Sequence, residues 1–163
     1  MSFDLERALQ EWAEENLESI GVSRDKAPNF DELRQKVVNG LRQTYSNEAL
    51  KIYFNRSENM RTLQNPDGFA RVTGPCGDTM EVYLKLRDGN VAEASFQTDG
   101  CIPSMMAGGM ATRLASGKSL EEARTIEQET VLEALGGLPE DHVHCALLAS
   151  DTLKEAIKNA LSR

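Results

Sequence analysis

The stretch EVYLKLRDGNVAEASFQT, residues 81–98, decides the fold of this chain. Apolar and polar residues alternate on both sides of Asp88-Gly89-Asn90, and such alternation is typical of half-buried β-strands. An Asp-Gly turn between two alternating segments predicts a β-hairpin. A three-residue loop keeps one face of the hairpin apolar, whereas a two-residue loop would set Leu84 against Glu93, so we expect the three-residue register. Its apolar pairs are Leu86 with Ala92, Leu84 with Ala94 and Val82 with Phe96.

Extending that register toward the open end of the hairpin brings thiol and carboxylate side chains together. Gly77 would then face Cys101, and Asp78 would face Gly100. Facing residues of an antiparallel pair lie about 5 Å apart. We therefore expect Cys76, Asp78 and Cys101 to converge, provided that no bulge interrupts the pairing.

The chain has three cysteines, and each has neighbours that are unusual for an inert core thiol. The first lies in GPCGD (residues 74–78) and the second in DGCIP (residues 99–103), where glycine and proline indicate exposed, tightly turned backbone. The third directly follows a histidine. Three thiols, a carboxylate and an imidazole form a mixed ligand set that suits zinc or iron. The candidate metal ligands are Cys76, Asp78, Cys101, Cys145 and, as an alternative ligand, His144.

A helix is predicted to begin near Pro103, directly after the second cysteine. The free N–H groups and the positive dipole end at its start would favour the thiolate form of Cys101, which is the form that binds metal. Methionines follow at helical spacing, and their thioether sulfurs are a second source of soft ligands. Such a stripe is more typical of core packing, and we interpret these methionines as core.

Composition excludes several classes of function. The net charge of −8 would repel nucleic acid and anionic membranes, and there is no basic stripe. No apolar run approaches the roughly 18 residues of a membrane span. The N-terminal residues lack the basic start and apolar segment of a secretory signal, so we expect a cytoplasmic protein. In that compartment metal binding is more typical of cysteines than the competing interpretation, a disulfide between Cys76 and Cys101.

The first part of the chain is predicted to be helical. Residues 5–20 and 30–41 each carry an amphipathic stripe, with Gly21 ending the first and Asn29 beginning the second. Ser46 is predicted to cap a further helix, and residues 146–161 carry the stripe of the last one. The first two helices contain no cysteine or histidine. They either pack on the rest of the chain or form a docking surface for a partner; packing is the commoner role of such stripes.

From Tyr45-Ser46 through the last predicted helix, the sequence resembles the IscU/NifU N-terminal type of iron–sulfur cluster scaffold. Three cysteine motifs in the family's order, with an SGKSLEEA segment between the second and the third, make the resemblance specific. The matching segments are Asn65-Pro66, GPCGDTM (74–80), TDGC (98–101), SGKSLEEA (116–123) and His144-Cys145.

The resemblance implies an α+β fold of the SufE/NifU-like kind, a small antiparallel β-sheet packed by helices, with an added helical N-terminal segment. It divides the chain into a helical extension, residues 1–43, and a scaffold domain, residues 44–163. It implies that the three cysteines hold a transient iron–sulfur cluster of the 2Fe-2S type and that Asp78 keeps one coordination site labile. His144 would replace a ligand in a zinc-bound resting state.

The resemblance also implies partners. A cysteine desulfurase would supply sulfur, with Cys145 as the first sulfur acceptor, and apoproteins would receive the cluster. The family's Leu-Pro-Pro-Val-Lys chaperone segment is replaced by Leu138-Pro139-Glu140-Asp141-His142, so recognition by an Hsp70-type chaperone is not expected. Self-association into a homodimer stays open.

Other functions compete with a non-enzymatic scaffold. A zinc-dependent sulfurtransferase of the related SufU type is the main alternative. That branch has an insertion between its second and third cysteines and lacks the histidine before the third, whereas here the interval is compact and His144 is present. A Cys/His hydrolase would need a base across from the nucleophile rather than beside it in sequence. A purely structural zinc site usually has only cysteine and histidine ligands, so an aspartate among the candidate ligands argues against this function.

Overall fold

The computed structural model describes residues 2–163. Within them, three antiparallel strands form one sheet in the order β1-β2-β3, and there are seven α-helices. The strands are β1 (Gly68–Thr73), β2 (Thr79–Arg87) and β3 (Asn90–Thr98). The helices are α1 (Leu5–Ser19), α2 (Phe30–Thr44), α3 (Asn47–Phe54), α4 (Ile102–Ala115), α5 (Leu120–Ala123), α6 (Gln128–Leu135) and α7 (Val143–Leu161). The predicted α+β class is confirmed.

The β2–β3 hairpin keeps the predicted register over most of its length. Leu84 pairs with Ala94 and Val82 with Phe96, and the pairing continues to Met80 opposite Thr98. These side chains are buried, except that Thr98 is only half-buried. Alternation therefore selected the correct face of both strands.

The prediction of a three-residue loop was wrong. A bulge between Lys85 and Leu86 sets Leu86 opposite Val91 instead of Ala92, and the connecting loop is only Asp88-Gly89. Both loop residues have positive φ, 54° and 79°. A two-residue turn of this kind matches the right-handed twist of the strands, and the bulge absorbs the extra residue. Ala92 is accordingly exposed, while Val91 is fully buried.

Helices α4 and α7 cover the apolar face of the sheet. Small residues let them approach closely. A Cβ atom added at Gly108 of α4 would lie 2.6 Å from Phe96 Cδ2 of β3. A Cβ atom added at Gly68 of β1 would lie 2.5 Å from the Ala156 carbonyl oxygen of α7. A Cβ atom at these distances would displace the Phe96 side chain at Gly108 and the α7 backbone at Gly68, so the two glycines allow the helices to approach the sheet closely.

The N-terminal helices pack against each other, and α1 also packs against α3. Leu9 and Ala13 of α1 and Val38 of α2 are fully buried. The predicted stripe overran the helix at one end, because Ile20 lies beyond α1 and is 74% exposed. Ser46 caps α3 as predicted, with its hydroxyl oxygen accepting a bond from the Ala49 N–H at 3.0 Å. None of the helices in residues 2–163 combines the length and the apolar character that crossing a bilayer requires.

Candidate metal centre

The three cysteines lie at two helix starts and in one loop. Cys101 is the residue directly before α4, and Cys145 lies in the first turn of α7. Cys76 lies in the loop between β1 and β2. Cys76 and Cys101 are exposed, whereas only 1% of Cys145 is exposed. The close packing of α4 and α7 on the sheet brings their N-terminal ends to one end of the molecule.

Two of these thiols form a compact group with a histidine. The ligand atoms of Cys101, His142 and Cys145 all lie within 4.8 Å of one another. His142 is the last residue of the 3-10 turn Glu140–His142, directly before α7. Two sulfurs and one imidazole nitrogen at this separation are a donor set that zinc and ferrous iron accept. The chemistry of the donors therefore fits a divalent cation.

Asp78 reaches this group through Ser104. The Ser104 hydroxyl lies 3.1 Å from Asp78 Oδ2 and 3.4 Å from Cys145 Sγ, close enough to donate to either. It also lies 3.8 Å from Cys101 Sγ. Ser104 is fully buried. The Ser104 hydroxyl thus lies between the Asp78 carboxylate and both cysteine sulfurs and positions the carboxylate beside them.

The Asp78 carboxylate lies where the extended hairpin register predicts. Regular pairing ends at Met80 and Thr98, yet a Cβ atom added at Gly100 would lie 2.8 Å from Asp78 Oδ2. Gly100 therefore leaves the space that the carboxylate needs. A side chain at that position would push Asp78 away from the thiols.

Cys76 does not belong to the compact group, and its expected convergence with Asp78 and Cys101 stays a prediction. The β1–β2 pairing ends at Thr73 and Thr79, and the intervening loop is closed by a bond from the Gly74 N–H to the Asp78 carbonyl at 2.8 Å. Gly77 adopts a left-handed conformation, with φ 91°, at which other residues are strained. Cys76, which lies in this turn, is exposed.

His144 also lies outside the compact group. Its Nε2 is 3.8 Å from Cys145 Sγ, and its ring centroid is 6.2 Å from that of His142. Sequence reasoning selected His144 because it adjoins Cys145, and it missed both His142 and Ser104. The available signal was spacing: His142 precedes Cys145 by three residues and Ser104 follows Cys101 by three, the separation that places side chains on one face of a helical turn.

Burial governs the protonation of the site. Loss of solvent raises the pKa of the Cys145 thiol to about 11, and the charges of Cys101 and Asp78 act in the same direction, while the bond from Ser104 lowers it. Burial and the neighbouring Cys101 raise the pKa of Tyr45 as well. Cys145 is therefore a neutral thiol at neutral pH, and a metal must displace its proton to bind.

Replacing Ser104 by alanine is expected to raise the pKa of Cys145 further, by about one unit, because a hydrogen bond to an anion is worth roughly 1.5–3 kcal/mol and one unit corresponds to about 1.4 kcal/mol. An NMR titration of the cysteine β-carbons measures the change. Ser150→Ala is the matched control, since Ser150 is equally buried on α7 but donates to the Leu147 carbonyl. A Cys145 pKa that stays the same in Ser104→Ala would mean that the hydroxyl does not stabilise the thiolate.

Comparison with known proteins places the chain in a family. The family model for the NifU-like N terminal domain matches residues 44–163. The iron–sulfur cluster assembly scaffold protein IscU 1 of Archaeoglobus fulgidus is 42% identical over 106 residues, which are 64% of this chain and 69% of that protein. IscU of Azotobacter vinelandii, also named a scaffold protein, is 35% identical over 119 residues, 71% of this chain and 92% of that protein.

A solved structure shares the fold. The N-terminal part of a nitrogen-fixing NifU-like protein from Brucella abortus aligns with a TM-score of 0.55 at 24% identity, covering 72% of this chain and 94% of that one. The family model matches residues 44–163, and a relative 35% identical over 119 residues and a solved structure of the same fold agree with it. This chain therefore belongs to the NifU-like N-terminal domain family, which the resemblance of its three cysteine motifs predicted.

Proposed function

We propose that this protein is a scaffold on which iron–sulfur clusters are assembled and from which they pass to apoproteins. The observation that carries the proposal is the group of Cys101 and Cys145, two thiols at the starts of packed helices, with the Asp78 carboxylate held beside them by Ser104. The names of the relatives support it, because IscU of Archaeoglobus and of Azotobacter are called cluster assembly scaffolds.

In this proposal Cys76, Cys101 and Cys145 bind the nascent cluster and Asp78 supplies the fourth ligand, with His144 as an alternative. In this proposal the cluster is bound only transiently and is transferred to an acceptor protein, so its binding site must be accessible from outside. Cys76 and Cys101 are exposed, which suits a cluster that an acceptor protein must reach. A carboxylate is a harder ligand than a thiolate and holds iron–sulfur clusters less firmly. We expect a 2Fe-2S cluster in a cytoplasmic protein that is not itself an enzyme.

Sulfur would come from a cysteine desulfurase, and we assign Cys145 as its first acceptor. The attacking species must be a thiolate. Cys145 is buried and carries its proton at neutral pH. The proposal therefore requires that metal binding or the docked desulfurase removes that proton before sulfur is transferred.

Anaerobic reconstitution tests the proposal. The protein is incubated with ferrous iron, cysteine and a cysteine desulfurase, then analysed for visible absorbance, iron and sulfide, and finally mixed with an apo-ferredoxin. A scaffold forms a coloured cluster and passes it on. If the protein instead retains only zinc and accelerates sulfide release by the desulfurase, the zinc-dependent sulfurtransferase of the SufU type is the correct function.

Replacing Asp78 by alanine is expected to slow cluster transfer to the acceptor about tenfold, equivalent to roughly 1.4 kcal/mol in the barrier. The reason is that the carboxylate is the ligand most easily exchanged. Transfer is followed by circular dichroism of the acceptor. Asp151→Ala, which removes an exposed carboxylate of α7, is the control. Equal transfer rates in Asp78→Ala and the parent would remove this role from Asp78.

We further propose that residues 1–43 are an extension that supplies no ligand, since they contain no cysteine or histidine. A protein that begins at Thr44 should bind the same number of metal ions per chain as the full chain. Its free energy of unfolding should be lower, because α1 and its buried Leu9 no longer cover α3. Metal analysis and urea unfolding measure the two quantities. A truncated protein that folds but binds no metal would overturn the division at residue 43.

A further inference from the structure

The two edges of the β-sheet are covered unequally. At the β3 edge, neighbouring backbone is bonded to the strand: the Phe96 N–H donates to the Asn59 carbonyl at 3.0 Å, and Val91 exchanges bonds with the segment between α4 and α5. Within the described residues 2–163, the β1 edge has one cap, the side chain of Asn159, which accepts a bond from the Phe69 N–H at 3.0 Å. An uncovered edge presents N–H and C=O groups to which another strand can pair.

The register of β1 identifies the backbone groups that face its free edge. The Gly74 N–H donates to the Asp78 carbonyl at 2.8 Å, and bonded pairs recur every second residue, so the even-numbered residues of β1 bond to β2. The odd-numbered residues, Phe69, Arg71 and Thr73, therefore direct their N–H and C=O groups away from β2. The bond that Phe69 donates to a side chain of α7 agrees with this direction. Arg71 and Thr73 are exposed, and β1 itself contains neither a bulge nor a proline that would prevent pairing.

Helix α7 forms the wall beside this edge, and its charges follow a symmetric order. Two grooves of about 560 and 570 Å³ run between β1 and α7, and both are lined by Arg71 and Glu155, which therefore lie level with each other. Four charged residues of α7 face the grooves at helical spacing, and we call them the charged face of α7: Asp151, Lys154, Glu155 and Lys158. Antiparallel packing about a twofold axis between Lys154 and Glu155 sets these two residues of opposite charge against each other. The same axis sets Asp151 against Lys158.

We propose that two copies of the chain associate through their β1 edges, about a twofold axis that passes Arg71 and the centre of the charged face of α7. Arg71 exchanges two backbone bonds with its copy, and each guanidinium is already paired with Glu81 of its own chain at 3.3 Å. On both sides of the axis the Thr73 N–H donates to the Phe69 carbonyl of the second copy. The two sheets thereby become one continuous sheet, and each contact occurs twice, as in other twofold dimers.

The charged face favours a second copy over an unrelated strand as the occupant. Within residues 2–163, Asp151, Glu155 and Lys158 are exposed and take part in no ion pair, while Lys154 contacts Glu127. Antiparallel packing gives each of the unpaired charges a partner of opposite sign. Exposed ion pairs add little affinity each, so these charges specify the register while the backbone bonds hold the strands.

The interface is separate from the thiol site. None of the residues that line the two grooves is a cysteine. Each copy therefore keeps its own three thiols, and the inference does not depend on the proposed function.

Sedimentation equilibrium of the full chain tests the dimer, with a reductant present because the exposed Cys76 could otherwise cross-link two copies. The parent is expected to dimerise as its concentration rises. Asp151→Lys and Lys158→Glu each set like charges against each other at two symmetric places, and each should weaken dimerisation at least about tenfold. Lys51→Glu, which makes the same change of charge at an exposed residue of α3, should dimerise like the parent.

Two restorations of binding are specific to the antiparallel arrangement. The double variant with Asp151→Lys and Lys158→Glu regains both pairs with their signs exchanged and should dimerise like the parent. The two single variants, mixed in equal amounts, should associate with each other, because each then offers the charge that the other lacks. A parent that stays monomeric at every concentration overturns the proposal, as do single variants that dimerise like the parent.

Hydrogen exchange tests the pairing of the strands. The Arg71 and Thr73 amides should exchange more slowly at high protein concentration than after dilution, whereas the Val72 amide, which bonds to β2, should change little. Arg71→Pro removes an N–H that points away from β2, which an edge strand tolerates, and should abolish dimerisation without altering the circular dichroism of the chain. Dimerisation without protection of Arg71 and Thr73 overturns the strand pairing. If Arg71→Pro does not fold, hydrogen exchange and the charge variants decide the question.

Discussion

Replacing Cys101 or Cys145 by serine is expected to abolish both cluster assembly and tight zinc binding, whereas Cys76→Ser is expected to abolish cluster assembly alone. Cys101 and Cys145 belong to the compact group with His142, and Cys76 does not. A serine hydroxyl keeps its proton at neutral pH and is a harder ligand than a thiolate, so it holds zinc and iron poorly. The loss of zinc affinity should reach roughly a hundredfold or more, above the cost of losing an outer-shell partner.

Chelator competition measures the zinc affinity, and absorbance after anaerobic reconstitution measures the cluster. Thermal unfolding of the apoproteins shows whether serine is tolerated at the buried position of Cys145. Ser150→Ala, which alters a buried hydroxyl on the same helix, controls for changes in packing. If any of the three serine variants assembles a cluster as stable as that of the parent, the replaced cysteine is not a ligand.

Zinc affinity is expected to fall steeply on acidification, by at least about tenfold per pH unit between about pH 9 and about pH 6. Cys145 binds metal as a thiolate, but burial raises the pKa of its thiol to about 11 in the metal-free protein. Throughout that interval the free protein carries the Cys145 proton and the zinc-bound protein does not. Lower pH therefore favours the free protein, and protonation of a histidine ligand weakens binding further at acidic pH.

Calorimetry in buffers of different ionisation enthalpy counts the protons released when zinc binds. The apoprotein gives a second readout with a defined sign. Because the pKa of Cys145 is higher in the folded chain than the roughly 8.5 of a free cysteine, the folded state holds the proton more tightly, and the free energy of unfolding should fall as pH rises from about 8.5 to 11. Zinc affinity that is flat with pH would exclude a protonated thiol from the ligand set.

Much of the molecule could be predicted from local sequence. Alternation along residues 81–98 identified the hairpin, and the need for one apolar face paired Leu84 with Ala94 and Val82 with Phe96. Ser46 correctly predicted the start of α3, because an N-cap interaction involves only residues within one helical turn. The order of the cysteine motifs led to the family that comparison shows. These features depend on residues close in sequence or on the pairing of two adjacent strands. The periodicity of apolar residues and the spacing of motifs are therefore sufficient to predict them.

The loop of the hairpin could not be predicted from local sequence. Counting residues between alternating segments selected a three-residue loop, but the strands turn at Asp88-Gly89 and place a bulge beside Leu86. The right-handed twist of the strands favours the two-residue turn. The alternation of apolar and polar residues carries no information about that twist, so it could not predict the turn.

The sequence by itself determined the strands, the helix caps, the family and the presence of a thiol-rich site. Only the tertiary structure decided which side chains form that site. Cys101 and Cys145 begin two helices that are distant in sequence, and their separation depends on how closely α4 and α7 approach the sheet at Gly108 and Gly68. The burial that raises the pKa of Cys145, the Ser104 bridge and the choice of His142 over His144 all follow from that packing, because long-range contacts and loss of solvent are properties of the assembled fold.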